Sequence, residues 1–197
     1  MRTGVDSLQS LTDFIFCNLE TNYKDSKWLS ERVILCPTNA EAEEVNNVMI
    51  DKWKGVKTTF KSVDNTEESS PDYTPEFLNT ISLPGIAPHV LHLKIGAPVV
   101  LLRNINQKCG HCNGTKYVIT NIRKHVLELR AISGTNIGSI LLLPRIIMIS
   151  QAAILPFTLR RKQFPIRLCF GMTANKAQGQ TLGQVGIYCG QVYIYKG

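Results

Sequence analysis

The passage from Gln163 to Leu182, QFPIRLCFGMTANKAQGQTL, constrains the fold more than any other, because an apolar run stops there at a Thr-x-Asn-Lys-x-Gln-Gly-Gln-Thr turn. Ile166 to Phe170 has the length and apolar character of a strand buried on both faces, as in a parallel sheet covered by helices. From Thr173 to Gly179 no acidic residue occurs. Hydroxyl, amide and ammonium donors therefore gather where a strand gives way to a helix, the place at which an open α/β sheet binds anions.

Charge is distributed unevenly along the 197 residues. Residues 1–76 hold eight Lys/Arg and fourteen Asp/Glu, a balance of −6, whereas residues 77–197 hold fourteen Lys/Arg and only Glu128, a balance of +13; together they give the net +7. A basic stretch with a single carboxylate cannot neutralise itself by internal ion pairs, so it presents a positive surface to a polyanion, with nucleic acid as the leading partner. A solvated basic face without a partner and a membrane-surface patch are the alternatives, the latter disfavoured because no amphipathic basic helix is visible. No apolar run approaches the roughly 20 residues that span a bilayer; Ile137 to Ile149 is interrupted by Pro144 and Arg145. The first 16 residues carry Asp6 and Asp13 and no secretory pattern. An intracellular protein without membrane association is expected.

The six cysteines are Cys17, Cys36, Cys109, Cys112, Cys169 and Cys189. Cys36 and Cys169 lie in apolar, strand-like runs and read as small hydrophobes. Cys109-Gly110-His111-Cys112 has the spelling of a disulfide-exchange site, but Asn113-Gly114, a turn signal, follows at once instead of a helix. Zinc would need four ligands, and only His111 accompanies this pair. Neither redox nor metal function is expected there.

Periodicity predicts a helix over Asp6 to Leu19, a strand at Arg32 to Cys36, a turn at Pro37-Thr38-Asn39 and an amphipathic helix over Ala40 to Trp53. Thr38 or Asn39 can cap that helix, and the same groups can contact a phosphate or a base. Lys61 to Thr74, polar and acidic, reads as a surface loop at a composition boundary. Beyond it, short strands around Gly96, Asn113-Gly114 and the residues up to Ile149 suggest a small antiparallel barrel or meander, and Gln184 to Tyr188 reads as a last buried strand. The expectation is an α/β domain with a β-barrel inserted in it.

Seven ordered blocks carry a specific resemblance: ILCPTNAEAEEVN (34–46), YTPEFLNTI (73–81), LKIGAPVVLLRNI (93–105), CNGTKYVI (112–119), LPRI (143–146), LPFTLRRKQFPIRLCFGMTANKAQGQTL (155–182) and VGIY (185–188). They resemble the C-terminal half of a PIF-type (petite integration frequency) superfamily-one DNA helicase, in the form carried by Helitron transposons. The resemblance implies an incomplete RecA-like parallel-sheet domain in two parts, 1–82 and 150–197, around a Src-homology-3-like 2B subdomain at 83–149. It implies a nuclear DNA helicase working 5′ to 3′ on single-stranded DNA, in repair or recombination. It puts Thr38, Asn39, Thr173, Asn175, Lys176 and Gln178 on the DNA, with Gln178 and Gly179 on the nucleotide side. In the family Gly171 and Ala174 are larger apolar residues, which implies looser packing here.

Departures from the family bear on activity. No G-x-x-x-x-G-K-[ST] loop occurs in the sequence, so the groups that cradle the β- and γ-phosphates are lacking. After VGIY the family's terminal Ser-Arg is replaced by Tyr195-Lys196-Gly197. The expected protein is a helicase fragment with no catalytic residues and no metal site of its own. ATP and Mg²⁺ are expected only with a missing N-terminal lobe, itself a possible partner. The alternatives are a stand-alone, non-enzymatic nucleic-acid-binding module and a non-functional transposon relic.

Overall fold

The computed structural model describes residues 7–68, 73–150, 155–178, 180–190 and 192–196. Ser7 caps α1 (Leu8–Ile15) by accepting from the Ser10 amide. Two short helices follow, α2 (Leu19–Asn22) and α3 (Ser26–Ser30), the second capped by Asp25. Then come β1 (Arg32–Cys36) and α4 (Asn39–Lys52). Next are β2 (Thr58–Lys61), β3 (Val63–Thr66), α5 (Pro75–Thr80), β4 (Val90–Leu93), β5 (Pro98–Leu101) and a single 3-10 turn at Gln107–Cys109. The chain continues through β6 (Lys116–Ile122), β7 (Val126–Ala131), β8 (Ile140–Pro144), β9 (Ile146–Ile149), β10 (Leu159–Gln163) and β11 (Ile166–Leu168). It ends with β12 (Gly171–Thr173), α6 (Ala174–Ala177), β13 (Gln184–Tyr188) and β14 (Val192–Lys196).

These elements form a mixed α/β fold. One sheet has the order β12-β1-β13-β14, with β12 and β13 parallel to β1 and β14 antiparallel at the edge. A second, antiparallel throughout, has the order β11-β5-β6-β7-β8, and smaller ladders join β3-β10-β9 and β2-β4. The barrel expected from the short strands is present as an open meander: among the described residues β11 and β8 stay at opposite edges and do not pair. One apolar cluster runs through both large sheets, joining Leu11, Val45, Met49 and Phe170 of the helical side to Tyr117 and Leu127 of the meander. Buried Lys116 adds a polar tie, its Nζ donating to the Ser30 carbonyl at 3.0 Å.

The run Ile166 to Phe170 is not the single strand its composition predicts. Ile166–Leu168 pairs antiparallel with β5 in the meander, and Gly171–Thr173 pairs parallel with β1 in the other sheet. Asn46, buried on α4, spans the break: its Nδ2 donates to the carbonyls of Leu168 (3.1 Å) and Gly171 (3.0 Å), and its Oδ1 accepts from the Gly171 amide (2.9 Å). One side chain thus replaces the ladder bonds lost where the strand changes sheets. Gly171 does not loosen the packing. A Cβ there would stand 2.7 Å from the Val45 Cβ and 3.0 Å from the Ala42 carbonyl oxygen, so the missing side chain is what lets α4 lie on β12.

The acidic stretch after Lys61 also departs from its reading as a surface loop, because β3 pairs with β10 and places Asp64 in the interior. Arg161 engages the Asp64 carboxylate through Nε and Nη2, the latter at 2.6 Å. Its remaining donors reach the carbonyls of Ile81, Ala87 and Leu78, so all five guanidinium N–H groups are used. Ser62 donates to Asp64 at 2.6 Å, and with that proton committed, Nδ1 of His89, 2.7 Å away, is the N–H donor to Ser62. Burial holds the His89 pKa below its ordinary 6.5, with Arg161 and Lys61 acting the same way and Asp64 opposing them.

Two predictions follow from these buried networks. Replacing Asn46 by Ala strands three backbone groups and should lower unfolding stability by on the order of 3 kcal/mol in urea melts, with circular dichroism reporting whether the fold is kept. Because the folded His89 resists protonation, the unfolded chain binds the extra proton first. Stability should therefore fall as pH drops below 6.5, and His89→Gln should flatten that dependence.

Candidate nucleic-acid interface

Two strand-to-helix turns stand side by side at one edge of the parallel sheet. In the β1–β12 register Cys36 faces Thr173, so Thr38 and Asn39 leave the sheet next to the Thr173–Lys176 turn. Both turns lie beyond the carboxyl ends of neighbouring parallel strands, where the first helical amides point outward and favour anions. The residues expected from sequence at these two turns are thus brought together.

Their side chains differ in what they have left to offer. The Thr38 hydroxyl is committed to a capping box: it accepts from the Glu41 amide at 3.2 Å and donates to the Glu41 carboxylate at 2.6 Å, while the Thr38 amide donates to the same carboxylate. Asn39 Oδ1 accepts from Arg167 Nη1 at 2.9 Å. Thr173, although it precedes α6, makes no capping bond through its hydroxyl. Asn175, Lys176 and Gln178 are exposed. Gly179, expected on the nucleotide side with Gln178, lies outside the described residues. α6 itself is a single turn.

Lys176 also lines a groove of about 230 Å³ that runs from the turn onto the meander. The opposite wall carries Arg103 just after β5, Asn113 before β6, Ser150 and the Leu83–Ile86 segment. No carboxylate is among the lining residues, and the polar side chains there are two cations, Lys176 and Arg103, with the Asn113 amide and the Ser150 hydroxyl. Arg103 and Asn113 were missed as site residues by sequence reasoning. Both sit inside blocks of the family resemblance, LKIGAPVVLLRNI and CNGTKYVI, and a basic residue directly after a buried strand was the available signal.

Nucleophilic and redox chemistry finds no support nearby. Burial pushes the Cys36 thiol up to about 12 and that of Cys169 to about 11, far from the reactive thiolate range. Cys109 closes the 3-10 turn, and His111 is buried with Nδ1 2.9 Å from the Tyr117 hydroxyl. Cys17, Cys36, Cys109, Cys112 and Cys169 are free thiols, and no group of three or more possible metal ligands occurs among the described residues.

Comparison with known proteins finds Pif1 helicases. Residues 76–122, from α5 through β6, match the family model described as "DNA helicase Pif1, 2B domain". The human ATP-dependent DNA helicase PIF1 is 25% identical over 162 residues, covering 81% of this chain and 23% of that protein, and the zebrafish (Danio rerio) PIF1 is 26% identical over 161. This chain resembles the C-terminal half of a Pif1-type DNA helicase. It spans only 23% of the length of these Pif1 relatives. Among solved structures, Pif1 helicase from Candida albicans superposes with a TM-score of 0.58 at 18% identity, covering 91% of this chain and 47% of that one. Bacteroides Pif1 bound to ssDNA gives 0.56 at 20%, covering 79% and 34%. At these identities the structural likeness establishes a shared Pif1 fold.

The two threonines separate capping from surface display. Thr38→Ala should cost about 1 kcal/mol of stability through the lost cap, whereas Thr173→Ala should leave the thermal melt within error, since its hydroxyl makes no capping bond.

Proposed function

We propose that this chain supplies part of the single-stranded DNA track of a Pif1-type helicase. The observation that carries the reading is the alignment of the Thr38–Asn39 and Thr173–Lys176 turns at one sheet edge, continuing into a groove that holds Lys176 and Arg103 without a carboxylate. Such a surface suits strand tracking, which needs phosphate donors more than base readers. In this reading Thr173, Asn175 and Lys176 contact the DNA backbone, Asn39 approaches from the neighbouring turn, and Thr38 holds that turn in shape. Gln178 and Gly179 mark the side toward a nucleotide, and residues 83–149 act as the 2B subdomain with its Src-homology-3-like strand arrangement. The Helitron-type origin, the nuclear setting and 5′-to-3′ movement belong to the same proposal and rest on the family blocks.

The donor set does not fit ATP or Mg²⁺. The sequence has no phosphate-cradling Gly-x-x-x-x-Gly-Lys loop, and no cluster of carboxylates that could hold a cation occurs among the described residues. No hydrolytic step is therefore assigned to these residues. No helix among the described residues is long and apolar enough to cross a membrane.

Fluorescence anisotropy with a labelled oligo-dT across a salt series tests the proposal. Affinity should fall steeply with salt, and Lys176→Ala or Arg103→Ala should each reduce the logarithmic slope by about 0.7, the contribution of one phosphate contact on a single strand. A slope indistinguishable from zero would sink it.

A further inference from the structure

Arg167 is an odd residue for its position. It lies on the short strand β11, flanked by fully buried Ile166 and buried Leu168, at the point where the chain is about to leave the meander for the parallel sheet. Its Nε is buried and bonds nothing, and no carboxylate lies within ion-pair distance of it among the described residues. Glu43, the nearest acidic influence, acts on it only at longer range. A guanidinium in this setting is costly, since an apolar side chain of similar volume is often neutral or stabilising in its place. Its one side-chain partner is Asn39 Oδ1, 2.9 Å from Nη1, across 128 residues of sequence.

The chemistry of that one bond is directional. A guanidinium only donates, so the oxygen of the Asn39 amide is the end that faces it, and an amide flip would set N–H against N–H. The Asn39 NH₂ group is thereby turned away from Arg167. Among the described residues it makes no hydrogen bond and is not buried, at the turn beside Thr173.

We infer that Arg167 is a positioning residue that locks the Asn39 amide with its oxygen inward, presenting a donor-only face to acceptor oxygens of the bound strand. Without the lock, Asn39 offers its oxygen or its NH₂ with equal ease, and half of its orientations set an acceptor against a phosphate. The inference rests on the single-stranded DNA reading above and specifies how one of its contacts is made.

A double-mutant cycle on the whole chain, read by anisotropy with oligo-dT at fixed low salt, tests it beside thermal melts. Asn39→Ala should weaken binding about tenfold, the loss of a hydrogen bond to a charged acceptor. Arg167→Met should weaken it about twofold, since half of the freed amide orientations still present the donor, although Arg167 touches no DNA. The double variant should be no weaker than Asn39→Ala alone, because without the Asn39 amide Arg167 has nothing left to orient. Asn39→Asp keeps an acceptor for Arg167 while deleting the donor, so it should melt at or above the wild-type temperature yet bind as poorly as Asn39→Ala. Additive losses in the double variant, or wild-type binding by a folded Arg167→Met, would overturn the inference. Should Arg167→Met fail to fold, Asn39→Asp decides: wild-type affinity for it refutes the inward-oxygen geometry. Lys176→Ala run in parallel separates the two levels, since its binding as wild type counts against the DNA track as a whole, whereas weakening by Lys176→Ala alone counts only against the Arg167 lock.

Discussion

Asn46 holds the structure at its one discontinuity. A strand that leaves one sheet for another must abandon its ladder partners, and buried backbone groups left open there are expensive. The Asn46 amide accepts the Gly171 N–H and donates to the carbonyls on either side of the break. Because Asn46 sits in the middle of α4, the same bonds fix that helix onto β12 at the closeness that Gly171 permits. The register of β12 against β1 then sets the two candidate DNA-contacting turns next to each other. A polar side chain buried in the core thus determines where surface donors stand.

The second buried network, around Arg161 and Asp64, ties the β3-β10-β9 ladder to α5. Removing two charges from water is repaid only when geometry and additional hydrogen bonds are complete, and Arg161 meets that condition by engaging Asp64 and three backbone carbonyls. Those carbonyls belong to α5 and the segment after it, which continues into Leu83–Ile86, one wall of the groove. Asp64 also shows why the negative balance of the first 76 residues is not wholly a surface property: the one carboxylate of β3 is consumed in the core. In the remainder Lys94, Lys116 and Arg161 are likewise buried, while Lys176 stays exposed beside a groove that no carboxylate lines.

Several features were legible in the residues themselves. The spacing of Ala42, Val45 and Met49 gave α4, and Thr38 or Asn39 as its cap gave its start, because both depend on neighbours a few residues apart. The donor-rich, acid-free run after Phe170 marked the candidate interface. Lys61 to Thr74 was misread because composition cannot distinguish a solvated Asp from one whose Arg partner lies 97 residues away. The groove residues Arg103 and Asn113 escaped for a similar reason: their partner across the groove, Lys176, is remote in sequence.

What the sequence determined by itself is therefore local: where helices begin, which runs are buried, and which turns are rich in donors and free of acids. Only the tertiary structure decided that the apolar run 166–170 serves two sheets, that the Thr38 hydroxyl is spent on a cap while that of Thr173 is not, and that Arg167 reaches Asn39. The physical reason is that hydrogen-bonding capacity is a property of a side chain, but whether that capacity is already used depends on groups that folding brings from elsewhere in the chain.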